Sequence, residues 1–243
     1  MTEGNSEEIR LNKYIAMCGI CSRREADKII QDGRITVNGE IAKMGIKVSE
    51  KDIICFDGKV IDTAKEKTVI AYNKPVGVVC TEKDEHAKRT IIEDINFGKR
   101  VTYAGRLDKD SEGLMILTDD GNLIEAMMKS KNGHEKEYEV IVDKKISDEF
   151  LKGMEKGVYL KDLDRTTRPC KVKKIDDNSF KIILTQGLNR QIRRMCKAFG
   201  YDVLKLKRIR ILNVKLGNLK YSEYRILEGQ ELENLYKNAG LSD

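Results

Sequence analysis

The sequence predicts an α+β protein of two units. A small unit of two helices and a short sheet is expected at residues 9–61, and a larger unit, a mixed and largely antiparallel sheet flanked by helices, at residues 66–243. The chain of 243 residues is long enough for two separate cores. Residues 62–67 are polar and lack an apolar period, as in a linker. After residue 67, a predicted strand is followed more often by a hairpin signal than by a helix, and this disfavours a doubly wound sheet.

The composition is typical of a soluble protein, and we expect it in the cytoplasm. Apolar residues make up 40% of the chain and charged residues 35%, and no apolar run is long enough to cross a membrane. Residues 1–8 are acidic and polar, unlike a signal peptide. Only Cys18 and Cys21 form a C-x-x-C pair, far in sequence from both histidines, so we expect reduced thiols and no metal. The net charge of +6 weakly favours an anionic partner.

Local signals define the elements of the first unit. Residues 11–18 have a helical apolar period, and Ser22 with Glu25 forms a capping box at the start of a second helix. Gly33 lies where a helix end requires a left-handed residue. Asn38-Gly39 then predicts a hairpin between two short strands. The order helix, helix, sheet follows from these signals.

Basic side chains cluster in this unit. Arg23 and Arg24 fall in the first turn of their helix, where the helix dipole disfavours cations. A solvated helix face is the alternative interpretation, but phosphate contacts would explain the misplaced charge. The segments 11–16 (LNKYIA), 21–27 (CSRREAD) and 33–39 (GRITVNG) resemble S4 RNA-binding domains. The candidate RNA-binding residues are Lys13, Arg23, Arg24, Lys28 and Arg34.

The most informative stretch of the second unit is residues 105–114, GRLDKDSEGL. Apolar segments precede and follow it, so Arg106 and Asp108 are expected on a connection between two strands, where a rigid sheet can direct them into a cleft. The alternative is a surface turn with a solvated ion pair, which is the usual interpretation of an arbitrary R-x-D.

Four further segments carry patterns of interest. Residues 69–72 read as a strand ending at Asn73-Lys74-Pro75, with strand resuming at 78–80. Residues 82–99 read as a charged loop with one helical turn. A strand from residue 136 puts Lys136 and Tyr138 on one face. Residues 205–215 alternate basic and apolar, which predicts a strand pair with one basic face.

Residues 190–199 separate into two helical faces. Positions 190, 193, 194 and 197 are basic, whereas positions 192, 195, 196 and 199 are apolar. Like charges at this spacing repel each other, so an anionic partner should offset them, although a solvated basic face would also fit. The sequence therefore predicts a helix with one side in the core and the other facing an anion.

These motifs together resemble the pseudouridine synthases of the RsuA/RluF family. The resemblance rests on GRLDKDSEGL, on NKPVG at 73–77, on KEY at 136–138 and on GLNRQIRRMC at 187–196, and it extends over about residues 9–233. It implies isomerisation of uridine in RNA without metal or cofactor. The sequence does not give the oligomeric state, and a monomer would suffice for this reaction. Asp108 would act at C1′ or C2′ of the ribose, and the resemblance leaves both routes open.

The same resemblance assigns roles to other residues. Tyr138 would stack on the target base, and Arg193 would pair with a buried Asp108, with Arg194 as the alternative partner. Arg106 would fill the gap that the flipped uridine leaves in the RNA. The remaining residues expected to bind or enclose the substrate are Lys74, Leu188, Arg190, Ile192 and Arg194.

The substrate implied by the third motif is large-subunit ribosomal RNA, and a tRNA anticodon loop of similar shape is allowed. The first rival interpretation is a non-catalytic S4-type ribosome assembly factor, which would not explain Asp108, Tyr138 and Arg193 together. The second is a metal-dependent RNA hydrolase using Asp108 and Asp110 or Asp119 and Asp120. No compact ligand set supports that enzyme class.

Overall fold

The computed structural model describes residues 8–62, 67–81 and 89–241. They divide into two compact units. The first comprises the described part of Met1–Lys67 with Lys99–Val101 and Asp119–Gly121, and the second comprises the described part of the remainder. Within the described part of the chain, no helix is long and apolar enough to span a membrane. Most of the expected linker and residues 82–88 of the expected loop lie outside the described residues.

The turn and cap signals of the first unit are confirmed. The Ser22 hydroxyl accepts a hydrogen bond from the Glu25 backbone N–H, and the Glu25 carboxylate accepts one from the Ser22 backbone N–H. Gly33, Asn38 and Gly39 all have positive φ, at 71°, 52° and 88°. The elements are β1 (Ile9–Arg10), α1 (Leu11–Met17), α2 (Arg23–Gln31), β2 (Ile35–Val37), β3 (Glu40–Ile41), β4 (Lys47–Val48), β5 (Ile54–Phe56) and β6 (Lys59–Val60).

The core of the first unit forms where the apolar faces of α1 and α2 meet its strands. Four strands pair in the order β3-β2-β5-β6, and β1 pairs with β4. Apolar side chains from both helices and from the strands are buried together, as hydrophobic burial requires of so small a unit. They include Leu11, Ile15, Ala26, Ile30, Ile35, Val48 and Ile54.

The second unit contains a nine-stranded sheet. Its strands and the small hairpin beside it are β7 (Val69–Lys74), β8 (Thr102–Tyr103), β9 (Glu112–Thr118), β10 (Lys136–Val142), β11 (Tyr159–Leu160), β12 (Arg165–Thr166), β13 (Lys171–Lys174), β14 (Ser179–Leu184), β15 (Val203–Ile211), β16 (Val214–Lys215) and β17 (Tyr224–Ile226). Its helices are α3 (Ile91–Ile95), α4 (Gly121–Met128), α5 (Asp148–Lys156), α6 (Gln191–Ala198) and α7 (Gly229–Ala239). This architecture confirms the predicted α+β class.

The strand order places a parallel junction inside an otherwise antiparallel sheet. The order is β13-β14-β10-β15-β9-β7-β17, with β16 beside β15 and β8 beside β9. Among the described strands of this sheet, only β9 and β15 run parallel, with Gly113 opposite Arg208. A Cβ on Gly113 would lie 2.3 Å from the Arg208 carbonyl oxygen, and Gly113 has φ +107°. Only glycine fits this contact without moving one of the strands.

Helices cover the sheet where their apolar faces predict. Side chains of α4 and α7, among them Leu123, Met127 and Leu235, are buried in one cluster with residues of β7 and β9. On α5, Phe150 packs edge-on against Phe180 of β14, with ring centroids 5.4 Å apart. This packing fixes the elements that carry the candidate site.

Two local predictions for this unit need correction. Residues 78–80 form a single bridge from Val79 to Thr90 instead of a strand, because the chain after Pro75 turns away from the ladder. The sequence also predicts a helix capped by Asn122 after the turn at residues 119–121, but α4 begins at Gly121, so Asn122 lies inside the helix. A capping box of Thr90 and Glu93 begins α3, the single helical turn expected near residue 91.

Candidate active site

The loop formed by residues 105–111 leads into β9 at the parallel junction. Its backbone is held from one side by the segment that follows β7. The Gly77 N–H donates to the Lys109 carbonyl at 2.8 Å, and the Leu107 N–H lies 3.5 Å from the Cys80 sulfur. Within the loop, the Ser111 N–H donates to the Asp108 carbonyl at 3.1 Å. The loop is therefore a fixed turn anchored to its neighbours.

This loop forms one wall of a cleft of about 580 Å³. Of the residues expected at the site, six line the cleft: Arg106, Asp108, Tyr138, Leu188, Arg190 and Ile192. The cleft is strongly basic. Asp108 is the only acid among its described lining residues, against the six basic side chains of Arg106, Lys109, Lys129, Lys136, Arg190 and Arg208.

Asp108 is more accessible than expected. Its side chain keeps 37% of its exposure, and one carboxylate oxygen lies 3.9 Å from Arg190 Nη1. The expected deeply buried acid is thus a half-open carboxylate, because the loop turns its side chain into the cleft. A carboxylate in that position can reach a bound ligand without rearrangement of the backbone.

Arg193 has a different partner from the one expected. Its guanidinium donates to the backbone carbonyls of Asp110 at 2.8 Å and Val203 at 3.0 Å. Its Nε lies 3.3 Å from the Asp110 carboxylate, without the alignment of a hydrogen bond. Arg193 is not among the residues that line the cleft. It supports the loop and does not contact Asp108.

Asp110, which the sequence suggested only as a metal ligand of a hydrolase, is the acid that Arg190 and Arg193 neutralise. Arg190 grips its carboxylate with two hydrogen bonds, of 3.2 and 2.8 Å. This hydrogen bonding, with the nearby charge of Arg193, lowers the pKa of Asp110 below its usual value. Arg190 has φ +50°, an uncommon conformation for a residue with a side chain. The spacing D-x-D did not reveal which carboxylate would face the helix.

Two residues expected to contact substrate do not line the cleft. Lys74 is fully buried, and its ammonium donates to the carbonyls of Pro75 and Val78 at 2.9 Å each. Burial lowers the pKa of Lys74. Arg194 instead bonds Asp162 and the Asn189 carbonyl beyond the helix. Both side chains hold backbone segments in place, a role that motif position alone did not distinguish from ligand contact.

Tyr138 and Arg208 lie opposite each other on β10 and β15. Tyr138 is 9% exposed and Arg208 only 2%. Arg208 donates from Nε to the Leu114 carbonyl at 2.7 Å and lies 3.5 Å from the Arg106 carbonyl. The predicted single basic face of this strand is wrong, because a register shift between Glu137 and Tyr138 changes the alternation and turns Arg208 inward.

Lys136 also enters the cleft, and it was not among the predicted site residues. Its ammonium lies 3.3 Å from the His134 carbonyl. Burial and the neighbouring charge of Arg208 lower the pKa of Lys136 to about 8. The alternation that placed Lys136 on the face of Tyr138 was the signal available in the sequence.

The candidate RNA-binding residues of the first unit differ in exposure and in ion pairing. Arg23, Arg24 and Lys28 are exposed and have no ion pair within the described part of the chain. Arg34 is bonded to both oxygens of Asp57, at 2.9 and 2.5 Å, and its guanidinium lies 4.7 Å from the Phe56 ring centre. Lys13 is half-buried in α1. The basic side chains of α2 are therefore accessible to an anionic partner, whereas the charge of Arg34 is neutralised by Asp57.

A helix-pair unit with exposed basic residues and a mixed-sheet unit with one acid in a basic cleft are typical of an enzyme that acts on nucleic acid. The RNA pseudouridylate synthase family model matches residues 68–198, and the S4 domain model matches residues 9–54. Within the described residues, no group of three or more His, Cys, Asp or Glu side chains could hold a metal ion.

Known proteins match over nearly the whole chain. The dual-specificity RNA pseudouridine synthase RluF of Escherichia coli strain K12 is 48% identical over 94% of this chain and 79% of its own length. An uncharacterized RNA pseudouridine synthase of Aquifex aeolicus is 34% identical over 96% of both chains. A crystal structure of a pseudouridylate synthase has a TM-score of 0.69 and 32% identity, over 93% of this chain and 99% of that one.

The chain belongs to the RNA pseudouridylate synthase family. It is an RNA pseudouridine synthase, an isomerase that converts uridine to pseudouridine in RNA, and its N-terminal S4 domain is of an RNA-binding type.

Proposed function

We propose that this enzyme modifies a uridine in large-subunit ribosomal RNA and also one in a tRNA anticodon loop of similar shape, as a cytoplasmic monomer. Residues 9–61 would bind the RNA, and residues 66–243 would carry out the reaction. The observation that carries the catalytic part is the cleft in which Asp108, the only acid among the described lining residues, shares the space with Tyr138.

Asp108 would supply the carboxylate of the reaction. The N1–C1′ bond of uridine must break, the base must turn, and a C5–C1′ bond must form. Attack on C1′ and removal of the C2′ proton each need a carboxylate close to the ribose, and the 37% exposure of Asp108 allows that contact. The nearest cation is Arg190, whose Nη1 lies 3.9 Å from this carboxylate.

Tyr138 would hold the detached base. Its ring lines the cleft and is 9% exposed, so it is fixed in position before a ligand binds. Stacking of an aromatic ring on a base contributes roughly 1–3 kcal/mol. Leu188 and Ile192 supply apolar walls that would keep water from the ribosyl centre during the rotation.

Arg106 would assist the extraction of the nucleotide. Its side chain is exposed and also lines the cleft. Flipping a nucleotide out of a stack costs a few kcal/mol, and an inserted guanidinium would recover part of that cost. The open charges of Arg23, Arg24 and Lys28 would contact phosphates of the same RNA.

The choice of RNA is supported by the relatives. RluF is named a dual-specificity enzyme. A ribosomal large subunit pseudouridine synthase B of Xylella fastidiosa is 35% identical over 96% of this chain and half of its own length. Single-stranded loops are the usual targets of sequence-specific RNA recognition, which is consistent with one enzyme accepting two loops of similar shape.

The test uses transcripts labelled with tritium at C5 of uridine. Wild-type enzyme is expected to release tritium from both large-subunit and tRNA transcripts, whereas Asp108→Asn should lower the rate at least about 10³-fold with RNA affinity retained, because the reaction loses its carboxylate. Asp148→Asn, an exposed acid at the start of α5, is the matched control and should retain full activity. Turnover by purified Asp108→Asn would disprove the catalytic assignment, and release from neither transcript would disprove the substrate assignment.

A further inference from the structure

Two cations of the cleft lie beside Tyr138 on the same face of the sheet. Lys136 precedes Tyr138 by two positions on β10, so both side chains point to one face. Arg208 lies opposite Tyr138 on β15. All three residues line the cleft. The aromatic ring is thus accompanied by two positive charges.

Neither of these two cations has a carboxylate partner within the described residues. Arg208 donates to two backbone carbonyls and approaches the Met115 sulfur, and Lys136 has only the His134 carbonyl. By contrast, Arg210 on the same strand is paired with Glu135 and Glu137. Burying like charges together without an anion is unfavourable, so the pair is arranged for an anion that comes from outside.

The reaction itself generates such an anion next to Tyr138. When the N1–C1′ bond breaks, its electron pair goes to the uracil, and the negative charge spreads over N1, O2 and O4. A cation placed where charge develops lowers the barrier, and it does so most effectively in a site that excludes water. Side chains two positions apart on a strand are about 6.7 Å apart, so a base stacked on Tyr138 would bring one edge close to Lys136.

We propose that Lys136 is a catalytic residue whose ammonium donates a hydrogen bond to a carbonyl oxygen of the departing uracil and stabilises the uracil anion. Arg208 is a positioning residue that holds the Arg106 and Leu114 carbonyls and keeps the local potential positive. Lys136 remains protonated throughout. The C5–C1′ bond then forms, C5 loses its proton, and N1 gains one, so no redox partner is required. This inference rests on the proposed site around Asp108 and Tyr138.

The pH dependence follows from the lowered pKa of Lys136. The ammonium is present below its pKa, which is about 8, and is lost as the pH rises through that value. Because kcat/KM reports groups of the free enzyme, kcat/KM should fall on the alkaline side with a midpoint near 8. In Lys136→Arg the charge does not titrate in this range, so the alkaline fall should disappear.

The experiment compares Lys136→Met and Lys136→Arg with wild type in single-turnover tritium release and in filter binding of the same transcript. Lys136→Met should lose about 10²-fold in the single-turnover rate, with Kd within about twofold of wild type. Lys136→Arg should keep most of the rate. Lys152→Met, an exposed lysine of α5, is the control and should match wild type.

Several outcomes would overturn the proposal. If Lys136→Met weakens RNA binding while its rate at saturation is unchanged, Lys136 contacts a phosphate instead of the base. If Lys136→Met does not fold, an alkaline fall in Lys136→Arg at the wild-type midpoint would exclude the role of the ammonium. Full activity of Asp108→Asn would instead remove the site on which the proposal rests, whatever Lys136 does.

Discussion

The charged residues at the loop of residues 105–111 differ in whether they are paired with an opposite charge. Asp110 accepts two hydrogen bonds from Arg190 and lies beside Arg193, so its charge is neutralised by neighbouring side chains. In the cleft, Asp108 lies 3.9 Å from Arg190 without a hydrogen bond to it, and Lys136 and Arg208 have no acidic partner among the described residues. Charges that are paired with each other hold the backbone in place, whereas charges without a partner are able to bind a ligand. Whether a charged side chain has a hydrogen-bonded partner therefore distinguishes residues that hold the backbone from candidate catalytic residues better than residue type does.

The largest loss of stability is expected from a substitution at the parallel junction of β9 and β15, next to this loop. Gly113→Ala places a Cβ 2.3 Å from the Arg208 carbonyl, which is backbone and cannot turn away. Together with the strain of positive φ, the substitution should lower the free energy of unfolding by about 2–4 kcal/mol. Urea denaturation would measure this loss. Gly187→Ala, where a Cβ meets open space, is the control. Equal stability of the two variants would show that the parallel junction is not rigid.

A smaller loss of stability should follow from removing the ion pair between Asp110 and Arg190. Asp110→Asn removes the carboxylate that Arg190 grips, and because Asp110 is nearly half exposed, we expect a loss of only about 1 kcal/mol at neutral pH. The hydrogen bonds from Arg190 lower the pKa of Asp110 in the folded protein. Its stabilisation is therefore complete above the unfolded pKa of about 3.9 and is lost as the pH falls through the lower folded value.

The measurement is a series of urea denaturation curves for wild type and Asp110→Asn from neutral to acidic pH. The two curves should converge at the acid end. Asp162→Asn removes the ion pair with Arg194, in which the acid is far more exposed than Asp110. It should change the free energy of unfolding by less than about 0.5 kcal/mol. A gap between wild type and Asp110→Asn that stays constant with pH would contradict the assignment of Asp110 as the neutralised acid.

The smallest effect extends the comparison to the first unit. Arg24 is open, and Arg34 is neutralised by Asp57. Arg24→Gln should reduce the slope of log affinity against log salt concentration by about 1, since one phosphate contact is lost. Arg34→Gln should change that slope less. The measurement is titration of a tRNA transcript at several salt concentrations, and equal slopes in the two variants would be inconsistent with the distinction.

Local signals predicted what depends on neighbours in sequence. The capping box of Ser22 and Glu25 and the turn at Asn38 and Gly39 need only a few adjacent residues, and both formed as expected. The α+β class and the cleft location of Asp108 and Tyr138 also followed from motifs and strand patterns. These features depend on the order of elements and on alternation, both of which can be read from a single chain.

Features that depend on long-range packing could not be read. The inward turn of Arg208 follows from a shift in pairing between β10 and β15, which has no local signature. Whether Arg193 meets Asp108 or Asp110 depends on the angle at which α6 approaches the loop. Lys74 looked like a ligand contact, but its ammonium is used by two carbonyls formed by the turn after it.

Strand β15 has one more consequence. It pairs with β10, which carries Tyr138, and with β9, which follows the loop of Asp108. Ladder spacing therefore separates the strand that carries Tyr138 from the strand that follows the Asp108 loop by about 9.5 Å. That interval is set by peptide hydrogen bonds, so exchanging side chains leaves it unchanged. In the proposed site, the distance across the cleft is therefore set by the main chain, and substitutions of surface side chains should leave it constant.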